Sequence, residues 1–325
     1  MTTTECLDPT VQIPQPGDWA VETHGLTKRF GTNVAVDEVE LLVPRGCAFG
    51  YLGPNGAGKT TLIRTLLGLT RADAGTMSLL GYPVPSQRGE ALARVGAIVD
   101  EPKFHGHLTG RQNLQILAAA REPAAKSRID PALERVGILH RSGDKVSKYS
   151  MGMRQRLGVA ACLIGDPQLL ILDEPMNGLD PAGILEMREM ILSLVAEGRT
   201  VVLSSHLLDE VERTCDAVAI VDHGKVIRQG AISELLSTSA FGLEVDCSTP
   251  DRAGELLATT QWGSSTRVEP GGLHLDLASD TDREVIAEIN RVLVAGGVSV
   301  YRLQEIHASL ESWFLEVTTR LGESQ

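Results

Sequence analysis

The apolar residues of this chain fall into short continuous runs separated by stretches of helical periodicity, a pattern of buried strands joined by helices. Val34 to Val43 predicts a strand ended by Pro44, and Ala48 to Leu52 a fully buried strand. Gly75 to Leu80 predicts another before a turn at Gly81, and Val95 to Val99 a further buried one. From Leu108 to about Ile164 the period becomes helical, with Leu114, Leu117 and Ala118 on one face and Pro131 and Gly137 as punctuation. Strand character returns at Gln168 to Leu172, Thr200 to Ser204 and Ala217 to Val221, with helices between. One of these helices starts near Pro181, with Asp180 as its N-cap. Parallel strands joined by helices make an α/β core.

After Gly230 a short helix, Ile232 to Leu236, leads into Ser237-Thr-Ser-Ala, which reads as a linker. Beyond it the pattern gives a strand (Phe241 to Val245), a helix (Arg252 to Thr259) and a hairpin turned at Pro270-Gly271-Gly272. A helix (Asp282 to Ala295), a strand (Val298 to Leu303) and a last helix (Leu310 to Leu321) follow. The order β-α-β-β-α-β-α is compatible with a ferredoxin-like accessory domain. The last helix is amphipathic, burying Leu310, Trp313, Phe314 and Val317.

Chemistry enters where the strand Ala48 to Leu52 meets the helix that follows it. The connection reads Gly53-Pro54-Asn55-Gly56-Ala57-Gly58-Lys59-Thr60-Thr61. Glycines let several backbone N–H groups curl around one anion, Lys59 supplies a compact cation for β and γ phosphates, and the Thr60 hydroxyl is placed to ligate Mg²⁺. The N-terminus of the next helix favours the same anion. A second element lies more than a hundred residues on, where Leu169-Leu-Ile-Leu172 carries Asp173 and Glu174 to the carboxyl end of a buried strand. Asp173 suits Mg²⁺ binding, and Glu174 suits polarisation of an attacking water. The loop alone implies only a bound nucleoside triphosphate.

Composition narrows the class. With 325 residues, 42% hydrophobic and 22% charged, the chain is an ordinary globular protein of about two domains. A net charge of -12 and a pI near 5.2 disfavour nucleic acid held on a broad basic surface. The five cysteines (Cys6, Cys47, Cys162, Cys215, Cys247) are odd in number and scattered, with no Cys-x-x-Cys pair, so reduced thiols are expected and no zinc site. Residues 1–19 are polar and proline-containing and read as a flexible lead-in without signal-peptide character. No run of about 18 apolar residues occurs, so a membrane role needs a partner.

Between the loop and the acid pair stands Tyr149-Ser150-Met151-Gly152-Met153-Arg154-Gln155-Arg156. With this segment in place, the order of motifs from about Val21 to Gly230 resembles the ATP-binding subunits of ABC transporters. The resemblance implies a P-loop ABC ATPase core (20–236) with a helical subdomain (about 104–165), followed by the small C-terminal α+β domain (240–325). In the family the signature segment caps the γ phosphate of ATP held by the opposite subunit, through the serine hydroxyl, the glycine amide and the helix N-terminus. Ser150 and Gly152 keep those donors, whereas Met151 stands in place of the usual glycine and Met153 in place of the usual glutamine. Asn177-Gly178-Leu179-Asp180 corresponds to the D-loop that joins the two sites across the dimer. His206, closing Ser204-Ser205-His206, corresponds to the switch histidine, and Phe30 to the aromatic that stacks on adenine.

Asp100, in Val99-Asp-Glu-Pro102, aligns with a glutamine that in the family links Mg²⁺ to the transmembrane partner. A carboxylate there still suits Mg²⁺ or its water but adds negative charge beside phosphate. Acidic replacements at this position resemble the bacitracin-resistance branch, and the closing Ser309 to Thr318 segment is similar to that of daunorubicin- and bacitracin-type drug exporters. His105 and His107 read as exposed loop residues, with Phe104 facing the membrane subunit in the family. The resemblance thus implies an ATPase that dimerises around ATP and Mg²⁺, as a homodimer if one motif set serves twice. It would drive a separate export permease from the cytoplasmic face of the membrane. Two other classes stay in view: a soluble ATP-driven clamp on ribosomes or DNA, and a nucleotide-dependent regulatory module. The first expects tandem cassettes, a coiled-coil insert or basic arms; the second does not need Glu174 and His206.

Overall fold

The computed structural model describes residues 19–237, 241–277, 281–306 and 309–311. The chain divides into two compact units between Gly230 and Ala231, so the short helix Ile232–Ser237 goes with the second unit. In the first unit the strands are β1 (Trp19–Phe30), β2 (Asn33–Pro44), β3 (Ala48–Leu52), β4 (Ala74–Leu79), β5 (Tyr82–Val84), β6 (Val95–Ile98), β7 (Leu169–Asp173), β8 (Thr200–Ser205), β9 (Ala217–Asp222) and β10 (Lys225–Ala231). They form two sheets. An antiparallel one has the order β2-β1-β4-β5, and a six-stranded one the order β10-β9-β3-β8-β7-β6, parallel from β9 to β6.

The central strands are apolar on both faces because helices and the second sheet cover both, as a parallel sheet requires. Every residue of β3, β7 and β8 is buried. The helix Lys59–Leu66 inserts Leu62, Ile63 and Leu66 among Phe49, Tyr51, Ile171 and Val202, in one core that also takes Val21, Leu26 and Leu41 from the antiparallel sheet. Each such side chain contributes about 1.5–3 kcal/mol by leaving water, so the phosphate-loop helix is anchored on its inner face.

Three strands escaped the sequence pattern, the shortest being β5, three residues paired with β4 across the Gly81 turn. In β1 the alternation breaks at a bulge, with register shifts between Thr23 and Leu26, and the buried Thr23 hydroxyl bonds the Val39 carbonyl at 2.8 Å. A polar core residue and a slipped period hide this strand. The third, β10, is an edge strand with no fully buried residue, turned from β9 at His223-Gly224. Both turn residues have positive φ, as a type I′ hairpin demands. The predicted helical segment resolves into the helices Gly110–Ala119, Ile129–Arg135 and Met151–Leu163, joined by shorter turns. Burial pushes the Cys162 thiol up to about 12 and raises Cys215 as well, in keeping with inert, protonated thiols.

In the second unit β11 (Phe241–Cys247), β12 (Thr266–Glu269), β13 (Gly272–Leu277) and β14 (Val300–Ile306) form an antiparallel sheet of order β12-β13-β11-β14. In sequence, β11 and β12 flank the helix Pro250–Ala258, yet β13 lies between them; β13 and β14 flank the helix Arg283–Ala295, yet β11 lies between them. That is two interleaved split βαβ units, the ferredoxin-like arrangement expected from the element order. Its core packs Leu243, Val245, Leu273 and Leu275 against Leu257, Ile289 and Leu293. Of the predicted closing helix, Leu310 and Glu311 begin a helical turn. Trp313, Phe314 and Val317 lie outside the described residues.

Candidate nucleotide site

Strands β3, β8 and β7 are neighbours in parallel register, with Leu52 opposite Ser205 and Asp173 opposite Ser204. Their carboxyl ends therefore bring together the phosphate loop, Ser204 to His206 and the acid pair, although these segments are distant in sequence. This is the edge at which α/β sheets bind ligands.

The loop is shaped by close backbone approaches. A Cβ at Gly58 would sit 2.0 Å from the Ala35 carbonyl oxygen, and one at Gly53 2.4 Å from that of Val221; Gly58 also has φ +97°. Pro54, Asn55 and Gly56 form the exposed tip, and Ala57 is buried beneath it. Gly58 caps the helix Lys59–Leu66 without any side-chain hydrogen bond, so no side chain competes for the first helical N–H groups. Uncapped N–H groups at a helix start suit an anion. Thr61 sits in the first turn of that helix, half-buried.

Lys59 is 6% exposed, and its Nζ donates to the carbonyls of Gly53 at 2.7 Å and Pro54 at 3.3 Å. It also lies 3.2 Å from Glu174 Oε1. Glu174 Oε2 is 2.8 Å from His206 Nδ1, so one carboxylate joins Lys59 to His206. Glu174 has φ +47°, a left-handed conformation that costs a non-glycine residue about 1–3 kcal/mol. It is held there by its own N–H, which donates to Ser204 Oγ at 2.9 Å. Ser204 Oγ in turn donates to Asp173 Oδ1 at 2.5 Å, while Thr60 Oγ1 donates to Asp173 Oδ2 at 2.7 Å. Hydroxyl and carboxylate oxygens meeting at one point fit a hard divalent cation such as Mg²⁺. The bridging role of Ser204 has no signature in the sequence beyond its place at a strand end.

The other predicted residues spread around this centre. Asp100 lines the same cavity, of about 280 Å³, with Thr60, Asp173 and Glu174, but its carboxylate is bonded to Arg64. Met151 reaches that cavity too. Ser150 and Gly152 instead line a second cavity with Asp180, apart from Lys59 and Glu174. Ser150 Oγ caps the helix Met151–Leu163 by accepting from the Met153 N–H at 3.2 Å, and Asp180 caps Pro181–Ala196 by accepting from the Gly183 N–H at 3.0 Å. The Met151 sulfur packs on Gly178 so closely that a Cβ there would meet it at 2.5 Å. Phe30 is 53% exposed, with the Lys28 ammonium 5.2 Å from its ring centre, and so is no part of the core. His105 and His107 are exposed, and among the described residues no His, Cys, Asp and Glu group of three or more forms a metal cluster.

A glycine-rich loop at a strand end, a buried lysine and a hydroxyl–carboxylate pair on neighbouring strands define a P-loop nucleoside triphosphatase. A family model for the ABC transporter matches residues 36–177. The bacitracin transport ATP-binding protein of Enterococcus faecalis is 38% identical over 299 residues, covering 91% of this chain and 96% of that protein. The daunorubicin resistance ATP-binding protein of Streptomyces coeruleorubidus is 36% identical over 306 residues, covering 93% and 96%. The Nod factor export ATP-binding protein I of Ralstonia nicotianae is 36% identical over 318 residues, covering 95% and 98%. Among solved structures, a Clostridium perfringens subunit that is part of an ABC transporter complex superposes with TM-score 0.62 at 27% identity, covering 68% of this chain and 92% of that one. The chain belongs to the ATP-binding subunits of ABC transporters and is an ATPase.

Proposed function

We propose that this subunit works as a pair of identical chains on the cytoplasmic face of a membrane, hydrolysing MgATP to drive a separate permease that exports an antibiotic, drug or lipid-like compound. The observation that carries the hydrolytic reading is the continuous network from Lys59 through Glu174 to His206, set beside Thr60, Asp173 and Ser204. In this reading Lys59 and the loop N–H groups hold the β and γ phosphates, and Thr60 and Asp173 hold Mg²⁺, which neutralises the developing phosphate charge. Glu174 takes a proton from the attacking water, and His206 fixes the Glu174 carboxylate through its Nδ1.

Pairing is supported by the separation of donors from catalyst. Ser150 and Gly152 open on a different cavity from Thr60, Asp173 and Glu174. The Ser150 oxygen accepts from Met153, and its O–H has no acceptor among the described residues, leaving it able to donate to the γ phosphate of a second copy. No helix among the described residues is long and apolar enough to cross a membrane, which fits a subunit that docks on a spanning partner. Export of an antibiotic or lipid-like cargo rests on the named transport of the relatives. The two compact units are assigned as an ATPase core to Gly230 and an accessory domain from Ala231.

The experiment is steady-state ATP hydrolysis by the purified chain, with co-purification from membranes of cells that express it. Turnover that needs Mg²⁺ and capture of a membrane protein of several spans support the reading; a chain that hydrolyses no ATP, alone or with that partner, contradicts it. For Phe30, adenine stacking on an aromatic is worth about 1–3 kcal/mol per base. Phe30→Ala is expected to weaken ATP binding about tenfold, measured by titration of a fluorescent ATP analogue, with Phe30→Tyr near wild type. Equal affinity in Phe30→Ala would rule stacking out.

A further inference from the structure

The cavity beside the phosphate loop is crowded with negative charge. Asp100, Glu101, Asp173 and Glu174 line it against one cation, Arg154. Ile98 pairs with Leu172 in parallel register, so Asp100 and Glu174, each two residues further on, leave the sheet at neighbouring strand ends. Both backbones turn into the left-handed region, at φ +58° and +47°. Lys59 Nζ, 3.2 Å from the Glu174 carboxylate, offsets that charge. Asp100 has a counter-charge of its own, since Arg64 Nη2 donates to its Oδ2 at 2.5 Å. Arg64 stands one turn after Thr60 on the helix Lys59–Leu66, and side chains at that spacing share a face and lean toward the helix N-terminus. It thus reaches Asp100 from the helix that carries the phosphate loop.

We propose that Arg64 is the counter-charge that lets Asp100 stand beside ATP, the two acting as one neutral unit at the rim of the site, with Asp100 no ligand of Mg²⁺. The inference rests on the placement of the triphosphate against Lys59 and Thr60 in the function proposed above. Like charges that share a site repel across it, and ATP brings several more. A carboxylate held by a guanidinium presents almost no net charge to the phosphates. Both side chains are half exposed, and an ion pair of that kind adds little to the stability of a fold. Its effect therefore falls on the anion that enters, not on folding. Asp and Asn are the side chains that best tolerate positive φ, so Asp100→Asn removes the charge and leaves the backbone as it is.

The test is a cycle of Arg64→Met, Asp100→Asn and the double variant in the full-length chain, read by titration of a fluorescent ATP analogue with Mg²⁺ and by the melting temperature. Arg64→Met is expected to weaken binding about three- to tenfold at low salt, and that deficit should shrink at about 1 M salt, where charges are screened within roughly 3 Å. Asp100→Asn should bind at least as tightly as wild type. The double variant should return to within about twofold of wild type, with all three melting within about 3 °C of it. Arg64→Met that binds like wild type overturns the inference. So does a double variant as weak as Arg64→Met, which would give Arg64 a phosphate contact of its own, and so does weakened binding in Asp100→Asn, the mark of a lost metal ligand. A larger fall in melting temperature in both single variants also overturns it, making the pair a structural brace. Wild type that binds the analogue beside an unaltered Arg64→Met fails the inference alone, whereas wild type that binds none fails the placement of the triphosphate with it.

Discussion

Glu174→Gln is expected to bind MgATP with near wild-type affinity and to hydrolyse it about 100- to 10,000-fold more slowly, the range for loss of a positioned general base. The substitution keeps the side chain's size, so it isolates the proton-accepting oxygen. Two partners feel the loss. The Glu174 carboxylate lies 3.2 Å from Lys59 Nζ and 2.8 Å from His206 Nδ1, and a glutamine presents one acceptor oxygen where the carboxylate presents two. Lys59 keeps the Gly53 and Pro54 carbonyls, so the phosphate cradle stays formed. The backbone at φ +47° is held by the Ser204 hydroxyl, which the substitution does not touch. Phosphate release measured at saturating ATP, beside an equilibrium ATP titration, checks both halves. Unchanged turnover would remove Glu174 from the chemistry.

Gly58→Ala is expected to abolish ATP binding without touching any group that contacts nucleotide chemically. The new Cβ would fall 2.0 Å from the Ala35 carbonyl oxygen, a backbone atom that cannot swing aside, and the residue would have to keep φ +97°. A misplaced L-residue of this kind costs about 1–3 kcal/mol from the dihedral alone, before the clash is counted. The loop can relieve the clash only by moving off Ala35, which turns its N–H groups away from the phosphates. ATP affinity should fall at least about 100-fold, and the melting temperature by about 6–12 °C at roughly 2–4 °C per kcal/mol. Calorimetric titration and a thermal scan measure these. A variant that binds and melts like wild type would show that the loop has another shape.

The phosphate loop, the acid pair and the strands that carry them were legible in the sequence because each is local: glycine spacing, a run of apolar residues, an acid at its end. The six-stranded order that places Asp173 opposite Ser204 is a long-range fact, and no period in the chain encodes it. Nor does any local signal mark Ser204 as the bridge between Asp173 and the Glu174 backbone, or Arg64 as the partner of Asp100. Phe30 is marked as an adenine platform only through the resemblance, and the fold leaves its ring in solvent. The first strand is hidden by a buried threonine and a bulge, and β10 by its place at an edge. The second unit was legible as an element order because its two halves repeat the same strand–helix–strand pattern, and the interleaving of the halves came from the fold.

In the proposed mechanism ATP is hydrolysed in a site completed by a second copy of the chain. Light scattering of Glu174→Gln with MgATP tests it most directly, since slow hydrolysis should trap the paired state. The expected mass is double that of the 34.8 kDa chain, collapsing to the single-chain value with MgADP or when Ser150 is also replaced by a bulky residue. A protein that binds MgATP yet stays at the single-chain mass would contradict it.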